Sequence, residues 1–197
     1  MSTPQRQNPG EAWEEFFART KNLPPPHVTQ PFLKLLPQNA VALDFGAGSG
    51  RWTAAFLRDR PDLTIDVLDQ HVDKALVLPP DIKGEKYHMS FGDFTPDKSY
   101  DGIWACDTLF FLKRDAQADI IHTLASALKP GGVMEFTMVD DCQTAQANRF
   151  TGMNKQAIEE TLAKEHLKPL SIGLDENAAY GPNNQKIPTF LVLAQKA

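Results

Sequence analysis

The stretch AVALDFGAGSGRW occupies residues 40–52 of the chain. Its first half, Ala40-Val41-Ala42-Leu43, is an unbroken apolar run, which suits a strand buried on both faces of a sheet. The run ends in Asp44, after which Gly46, Gly48 and Gly50 alternate with Phe45, Ala47 and Ser49. Residues 52–57 then read as a helix. Strand, glycine-rich turn and helix in this order build a nucleotide-cofactor site, because glycines let backbone approach a ligand closely and the N–H groups of a helix start face it. The spacing is D-x-G-x-G-x-G. A dinucleotide fingerprint G-x-G-x-x-G would need its third glycine at the position of Arg51.

Outward from this stretch, residues 63–68 read as a second strand after the Pro61-Asp62 turn signal, and that strand ends in Asp69-Gln70. Asp69 stands 19 residues beyond Gly50, about where a doubly wound fold ends its second strand. A carboxylate placed there accepts hydrogen bonds from both hydroxyls of a ribose. Residues 74–78 suggest a short helix broken by Pro79-Pro80, and residues 85–91 a third strand leading into Gly92-Asp93-Phe94. The fourth strand is read over 100–105. An amphipathic helix follows over 115–128, with Ile120, Ile121, Leu124 and Leu128 on one stripe. Lys129-Pro130-Gly131-Gly132 then turns the chain into a fifth strand, 133–139. Further on come a helix over 154–166 and strands over 170–174 and 187–194, joined by the turn-rich AAYGPNNQ and so expected to pair antiparallel.

The chain has 197 residues and a net charge of −5. That length suits one domain with a sizeable core. The acidic balance argues against nucleic acid as the main partner, since phosphate binding needs a basic patch. No apolar run approaches the roughly 20 residues of a membrane span, and MSTPQRQNPG has no signal-peptide core. Cys106 and Cys142 form no C-x-x-C pair, so a reduced, cytoplasmic setting is expected. Before the sheet, residues 11–21 (EAWEEFFARTK) space Trp13, Phe16 and Phe17 as a helix does, and Thr29 can cap a second helix, QPFLKLL. Residues 1–39 are therefore expected to form a helical extension packed on the domain of 40–197, with the option of closing over the cofactor as a lid.

The glycine-rich turn, with its strand, its acid and its helix, resembles motif I of the class I S-adenosylmethionine (SAM)-dependent methyltransferases. The resemblance runs over residues 40–197, because 100–105 with CDTLFFLKRD resembles motif IV and LKPGGVMEF is a further hallmark. It implies an α/β Rossmann-like, doubly wound, seven-stranded and mostly parallel sheet completed by an antiparallel C-terminal strand. By the same resemblance SAM is held by Asp44, Gly46, Ala47, Gly48, Gly50, Asp69 and Gln70, with Asp93 taking the adenine amino group and Phe94 flanking the ring. Two motifs are missing: the [DNS]-P-P-[YFW] run of nucleobase amino-methylating enzymes and the double-glutamate loop of protein arginine methyltransferases. Their absence moves the expected acceptor towards small molecules. The W-x-x-F-F helix and the short path into the glycine turn resemble the tellurite-resistance and thiopurine branch, which makes Trp13 and Arg19 further cofactor contacts. That branch often has cysteine where this chain has Ala47.

Methyl transfer from a sulfonium is an in-line displacement in which positioning supplies much of the rate. A soft nucleophile needs no base, whereas a phenol or amine wants one. Candidate catalytic residues at the carboxyl ends of the strands are Asp107, Asp140 and Tyr180, with Asp141 beside them. The acids at 107, 140 and 141 could hold Mg²⁺ for a diol, hold a cationic substrate, or stand solvated at strand ends; no metal ligand set is assigned. Cys106 and Cys142 end neighbouring strands and could approach one another. None of the five histidines, His71 beside the ribose position included, gains a catalytic assignment. The expected function is SAM-dependent methyl transfer to a small molecule. The open alternatives are a nicotinamide-type oxidoreductase and a methyltransferase-fold binding protein without turnover.

Overall fold

Alternate residues of the central strands are apolar on both sides, so the sheet must be covered twice. The computed structural model describes residues 30–70, 82–142, 150–176 and 186–197, with Glu15 and Ala145 besides. The expected helices over 11–21 and 74–78, Thr29, and the AAYGPNNQ loop lie outside the described residues or, in the first helix, are represented only by Glu15.

In chain order the described elements are α1 (Gln30–Leu35), β1 (Val41–Phe45), α2 (Arg51–Asp59), β2 (Thr64–Leu68), β3 (Lys86–Tyr87), β4 (Tyr100–Ala105), α3 (Arg114–Ala127), β5 (Leu128–Val139), α4 (Lys155–Lys164), β6 (Leu167–Asp175) and β7 (Thr189–Lys196). The seven strands form one sheet in the order β3-β2-β1-β4-β5-β7-β6. β3, β2, β1, β4 and β5 run parallel, and β7 enters antiparallel between β5 and β6. This is the doubly wound architecture that the sequence implies, and its strand order reverses at β1 and β4.

One face of the sheet carries Leu43, Phe45, Ile103, Ala105, Met134 and Phe136 into a core with Ile120, Ile121 and Leu124 of α3 and Ile158 and Leu162 of α4. The other carries Ala42, Trp104, Val133 and Leu193 against Phe32 and Leu33 of α1 and Trp52 and Phe56 of α2. The second core is aromatic: Trp104 lies 4.9 Å from Trp52 with the rings tilted at 53°, and it meets Phe56 edge-on at 5.3 Å. Gly102 makes room for α1, since a Cβ there would lie 2.4 Å from Leu36 and 2.9 Å from Phe32. Arg60 ties α1 down from the far end of α2. Its guanidinium donates to the carbonyls of Leu33 (2.8 Å), Leu36 (3.3 Å) and Pro37 (2.8 Å) while holding Asp62 at two points.

Several element bounds differ from the sequence reading, among them β6, which runs over Leu167–Asp175 rather than 170–174. β5 begins at Leu128, directly after α3, because Leu128 pairs with Tyr100 before the chain bulges through Lys129-Pro130-Gly131-Gly132 and resumes register at Gly102↔Val133. Lys129 pins that bulge through Asp101 at 2.8 Å, an acid that also accepts the Val41 N–H. β3 spans two residues rather than seven. It is an edge strand paired only to β2, and a 3-10 turn at Phe91–Asp93 ends the extended run. The buried Asp66 holds this edge, accepting from Tyr100 Oη (2.9 Å) and the Glu85 N–H (2.8 Å) and pairing with Lys98 (2.8 Å). The helix expected over 154–166 is trimmed to α4, with Asn154 as a side-chain cap on the Ala157 N–H. At the opposite edge β6 is interrupted by a register shift between Pro169 and Ser171 and leaves Leu170 and Leu174 about half exposed, at 41% and 46%.

Candidate active site

The glycine turn lies at the carboxyl end of β1, between that strand and α2. Gly46, Gly48 and Gly50 have φ of 85°, 54° and 74°, left-handed values that glycine adopts without steric cost. Gly46 is needed for space as well, because a Cβ there would lie 2.0 Å from Thr108 Oγ1. The turn is stitched to the end of β2: the N–H groups of Gly46 and Ala47 both donate to the Leu68 carbonyl, at 2.8 and 3.1 Å. The Gly48 N–H donates to Asp69 Oδ2 at 3.0 Å. The two residues singled out in sequence, the second glycine and the acid of the second strand, thus meet. α2 starts from Gly50 with no side-chain cap, so its first turn faces the site.

Asp44 sits beneath this turn, 1% exposed, and accepts from Thr53 Oγ1 at 2.6 Å. Burial pushes its carboxyl up to about 7, the Thr53 hydrogen bond works against that, and the negative charge of Asp69 adds to it. Its role is to join β1 to the first turn of α2 under the cofactor loop. Asp93 is exposed in its 3-10 turn, whereas the Phe94 ring is buried in the core, 6.0 Å from Phe45 and 5.8 Å from Tyr87. Gln70 presents its carbonyl to His88 Nε2 at 2.6 Å.

At the end of β4, Asp107 takes a left-handed φ of 54°, uncommon outside glycine. Thr137 on β5 holds it there, its Oγ1 accepting the Asp107 N–H at 2.7 Å and donating to Oδ1 at 3.2 Å. Thr108 Oγ1 bonds the carbonyls of Cys106 (3.0 Å) and Phe45 (3.3 Å), which ties the end of β4 to the glycine turn. Asp140, at the end of β5, donates its N–H to the Pro188 carbonyl, and Asp141 pairs with Arg114 at 3.4 Å. Trp13, Arg19, His71 and Tyr180 lie outside the described residues. Cys106 and Cys142 are free thiols packed against opposite faces of the sheet, so the fold does not bring them together. His122 pairs with Glu165 at 2.7 Å, away from these strand ends. Among the described residues no group of three or more His, Cys, Asp or Glu side chains could hold a metal ion.

Two residues here were not singled out as site residues in sequence. Arg51 looks in sequence like a mere non-glycine, yet its Nη1 is buried without a hydrogen-bond partner, and its guanidinium lies in the field of Asp107. Glu135 was read as part of an apolar strand. It is 1% exposed with neither carboxyl oxygen hydrogen-bonded, and burial pushes it up to about 8. The available signal was an acid in the middle of a run that must be buried on both faces.

Strand order, glycine turn, second-strand acid and reversal point together define a class I SAM-dependent methyltransferase. The orphaned Arg51 Nη1 fits a bound ligand with an anionic group beside this turn. A family model described as a methyltransferase domain matches residues 17–172, and the chain belongs to that family. No functionally curated protein matches the chain in sequence. Among solved structures, a SAM-dependent methyltransferase from Methanosarcina mazei superposes with a TM-score of 0.70 at 14% identity, covering 86% of this chain and 98% of that one. The 1,6-didemethyltoxoflavin-N1-methyltransferase of Burkholderia thailandensis, bound to its substrate and S-adenosylhomocysteine, gives 0.63 at 19% identity over 85% and 77% of the two chains. The N-methyltransferase NodS of Bradyrhizobium japonicum with S-adenosylhomocysteine gives 0.62 at 16% over 80% and 78%. At these identities the likeness is one of fold. SAM is the cosubstrate of this family, which displaces the nicotinamide alternative.

Proposed function

We propose that the chain transfers the methyl group of SAM to a small-molecule acceptor seated beyond the carboxyl ends of β4 and β5. The observation that carries this reading is the glycine turn bound to Asp69 through the Gly48 N–H, which readies one acid and several backbone groups around a single adenosyl site. SAM, when bound, supplies an electrophilic methyl on a sulfonium. The chain's own part is placement. Asp69 takes the ribose hydroxyls, Asp93 the adenine amine, and the turn of residues 46–50 the chain of the methionine moiety, while Asp107 faces the reacting end. Residues 1–39 serve as the N-terminal extension, of which α1 packs on the sheet and the part before it covers the site, with Trp13 and Arg19 reaching the cofactor. That part rests on the resemblance of the W-x-x-F-F stretch to the tellurite-resistance and thiopurine branch.

A small acceptor is further supported by the neighbours, one of which is a toxoflavin-precursor N1-methyltransferase and another a magnesium protoporphyrin IX methyltransferase. Titration calorimetry with SAM, S-adenosylhomocysteine and NAD on wild type and Asp69→Ala tests the reading. Both adenosyl ligands are expected to bind with micromolar affinity and to lose about 2 kcal/mol or more in the variant, the worth of hydrogen bonds to a charged group. A folded wild type that binds neither adenosyl ligand would sink it. Binding without turnover across thiols, amines and phenols would favour the non-catalytic alternative.

A further inference from the structure

Among the described residues four large apolar side chains stand about half exposed. Leu35 ends α1, and Leu170 and Leu174 lie on the edge strand β6, whereas Phe111, at 45%, comes shortly after Asp107 beyond the carboxyl end of β4. A single apolar side chain at a surface is ordinary. The setting of this one is not, because two loops are fastened together around it. The 3-10 turn Leu109–Phe111 leaves β4, and residues 150–153 come back to the end of β5. The Thr151 N–H donates to the Phe110 carbonyl at 2.9 Å, and the Met153 N–H to the Val139 carbonyl at 3.0 Å. Gly152 lets the second segment lie close on the strand end, since a Cβ there would come within 2.6 Å of the Asp140 carbonyl oxygen. Gln117 of α3 is fully buried and donates its Nε2 to the Leu109 carbonyl (3.1 Å) and the Thr151 carbonyl (2.7 Å). One buried amide thus clamps both loops.

The clamp fixes three rings. Phe110 is buried, with its centroid 4.8 Å from Phe111 and 5.2 Å from Phe150. Phe111 and Phe150 stand 5.3 Å apart at 87°, a right-angled corner at the ends of β4 and β5. We propose that this corner seats the methyl acceptor and that the acceptor carries a flat aromatic ring. The proposal rests on the methyltransferase reading above, which puts the acceptor beyond these strand ends, and it narrows the substrate class. A planar ring stacked on Phe111 is perpendicular to Phe150, so the corner offers both the stacked and the edge-on arrangement that aromatic pairs prefer. A saturated ring of the same size gains only the buried area. The loops are already hydrogen-bonded, so little ordering is left to oppose binding. The ring is recognised independently of the nucleophile it bears.

The test uses the full chain saturated with S-adenosylhomocysteine and three matched pairs of probes. These are 2-phenylethylamine with 2-cyclohexylethylamine, 2-phenylethanethiol with 2-cyclohexylethanethiol, and 4-ethylphenol with 4-ethylcyclohexanol. Affinities are read by saturation-transfer NMR titration. At least one aromatic probe is expected to bind about 5-fold more tightly than its saturated partner, the worth of an aromatic pair beyond its area. Phe111→Leu, which keeps an apolar side chain but removes the ring, should bring that ratio to about one. Phe111→Tyr should preserve it, and S-adenosylhomocysteine should bind both variants as it binds wild type. Absence of binding by every aromatic probe, no aromatic preference within any pair, a preference that survives Phe111→Leu, or one lost in Phe111→Tyr each overturns the proposal. Failure of wild type to bind S-adenosylhomocysteine would instead overturn the methyltransferase reading, and calorimetry reports that separately.

Discussion

Gly46 is the residue where sequence, backbone and site coincide most tightly. Its left-handed φ and the 2.0 Å approach of Thr108 to a hypothetical Cβ leave no room for alanine. Gly46→Ala should therefore move the turn off the end of β2 and abolish binding of S-adenosylhomocysteine in calorimetry, with a loss of stability of about 2 kcal/mol from strain and overlap. Thr108→Ala alone should be mild. Asp44 and Glu135 make a different prediction, because burial raises both above ordinary carboxylates, to about 7 and about 8. The unfolded chain gives up these protons first, so the stability these two groups contribute is full below about pH 4 and is lost as pH rises to about 8. For Asp44 the difference is on the order of 4 kcal/mol. Urea unfolding at pH 5 and pH 8 should show that fall, and Asp44→Asn with Glu135→Gln should flatten it. An unchanged pH dependence in the double variant would show that other groups govern it. At this scale the sequence was informative where a residue belongs to a motif. Asp44, Gly46, Gly48 and Asp69 were legible. Arg51 and Glu135 were not, because only the sheet register and the packing reveal that their polar atoms lack partners.

Among elements, α1 depends on a side chain that is remote in sequence. A six-residue helix is too short to stand alone, and Arg60 bonds the Leu33 carbonyl in its last turn and the Leu36 and Pro37 carbonyls just beyond it, while Asp62 holds the guanidinium in place. Arg60→Leu should free α1 from Gly102 and Trp104 and cost about 2 kcal/mol, read as a lower urea midpoint with little change in slope. Arg60→Lys should recover only part of this, since a point charge cannot serve three carbonyls and a carboxylate. Element bounds were legible where both faces of a strand are buried: β4 runs over 100–105 as read. They were misread where pairing rather than composition decides. The Pro-Gly-Gly stretch within β5 looks like a full stop, yet Leu128 is already paired with Tyr100 before it. β3 looks long because its residues favour extended backbone, yet only Lys86 and Tyr87 find a partner on β2.

The whole sheet was legible in outline because the order of signals along the chain admits few windings. Glycine turn, second acid, amphipathic helix and terminal antiparallel pair point to a seven-stranded, mostly parallel sheet, and the strand pairing sets its order as 3-2-1-4-5-7-6. The two-faced core follows from the same alternation. The outer edge at β6 has a further consequence. An open strand with two half-exposed leucines invites other chains to add to it, and here Lys168, Pro169 and the broken register after Pro169 spoil the template. Solubility is thus a property guarded by a few residues on the rim, far from the chemistry. Replacing Lys168 and Pro169 with valine should leave binding of S-adenosylhomocysteine intact while causing concentration-dependent self-association, measured by sedimentation. A variant that stays monomeric would show that β6 needs no such guard.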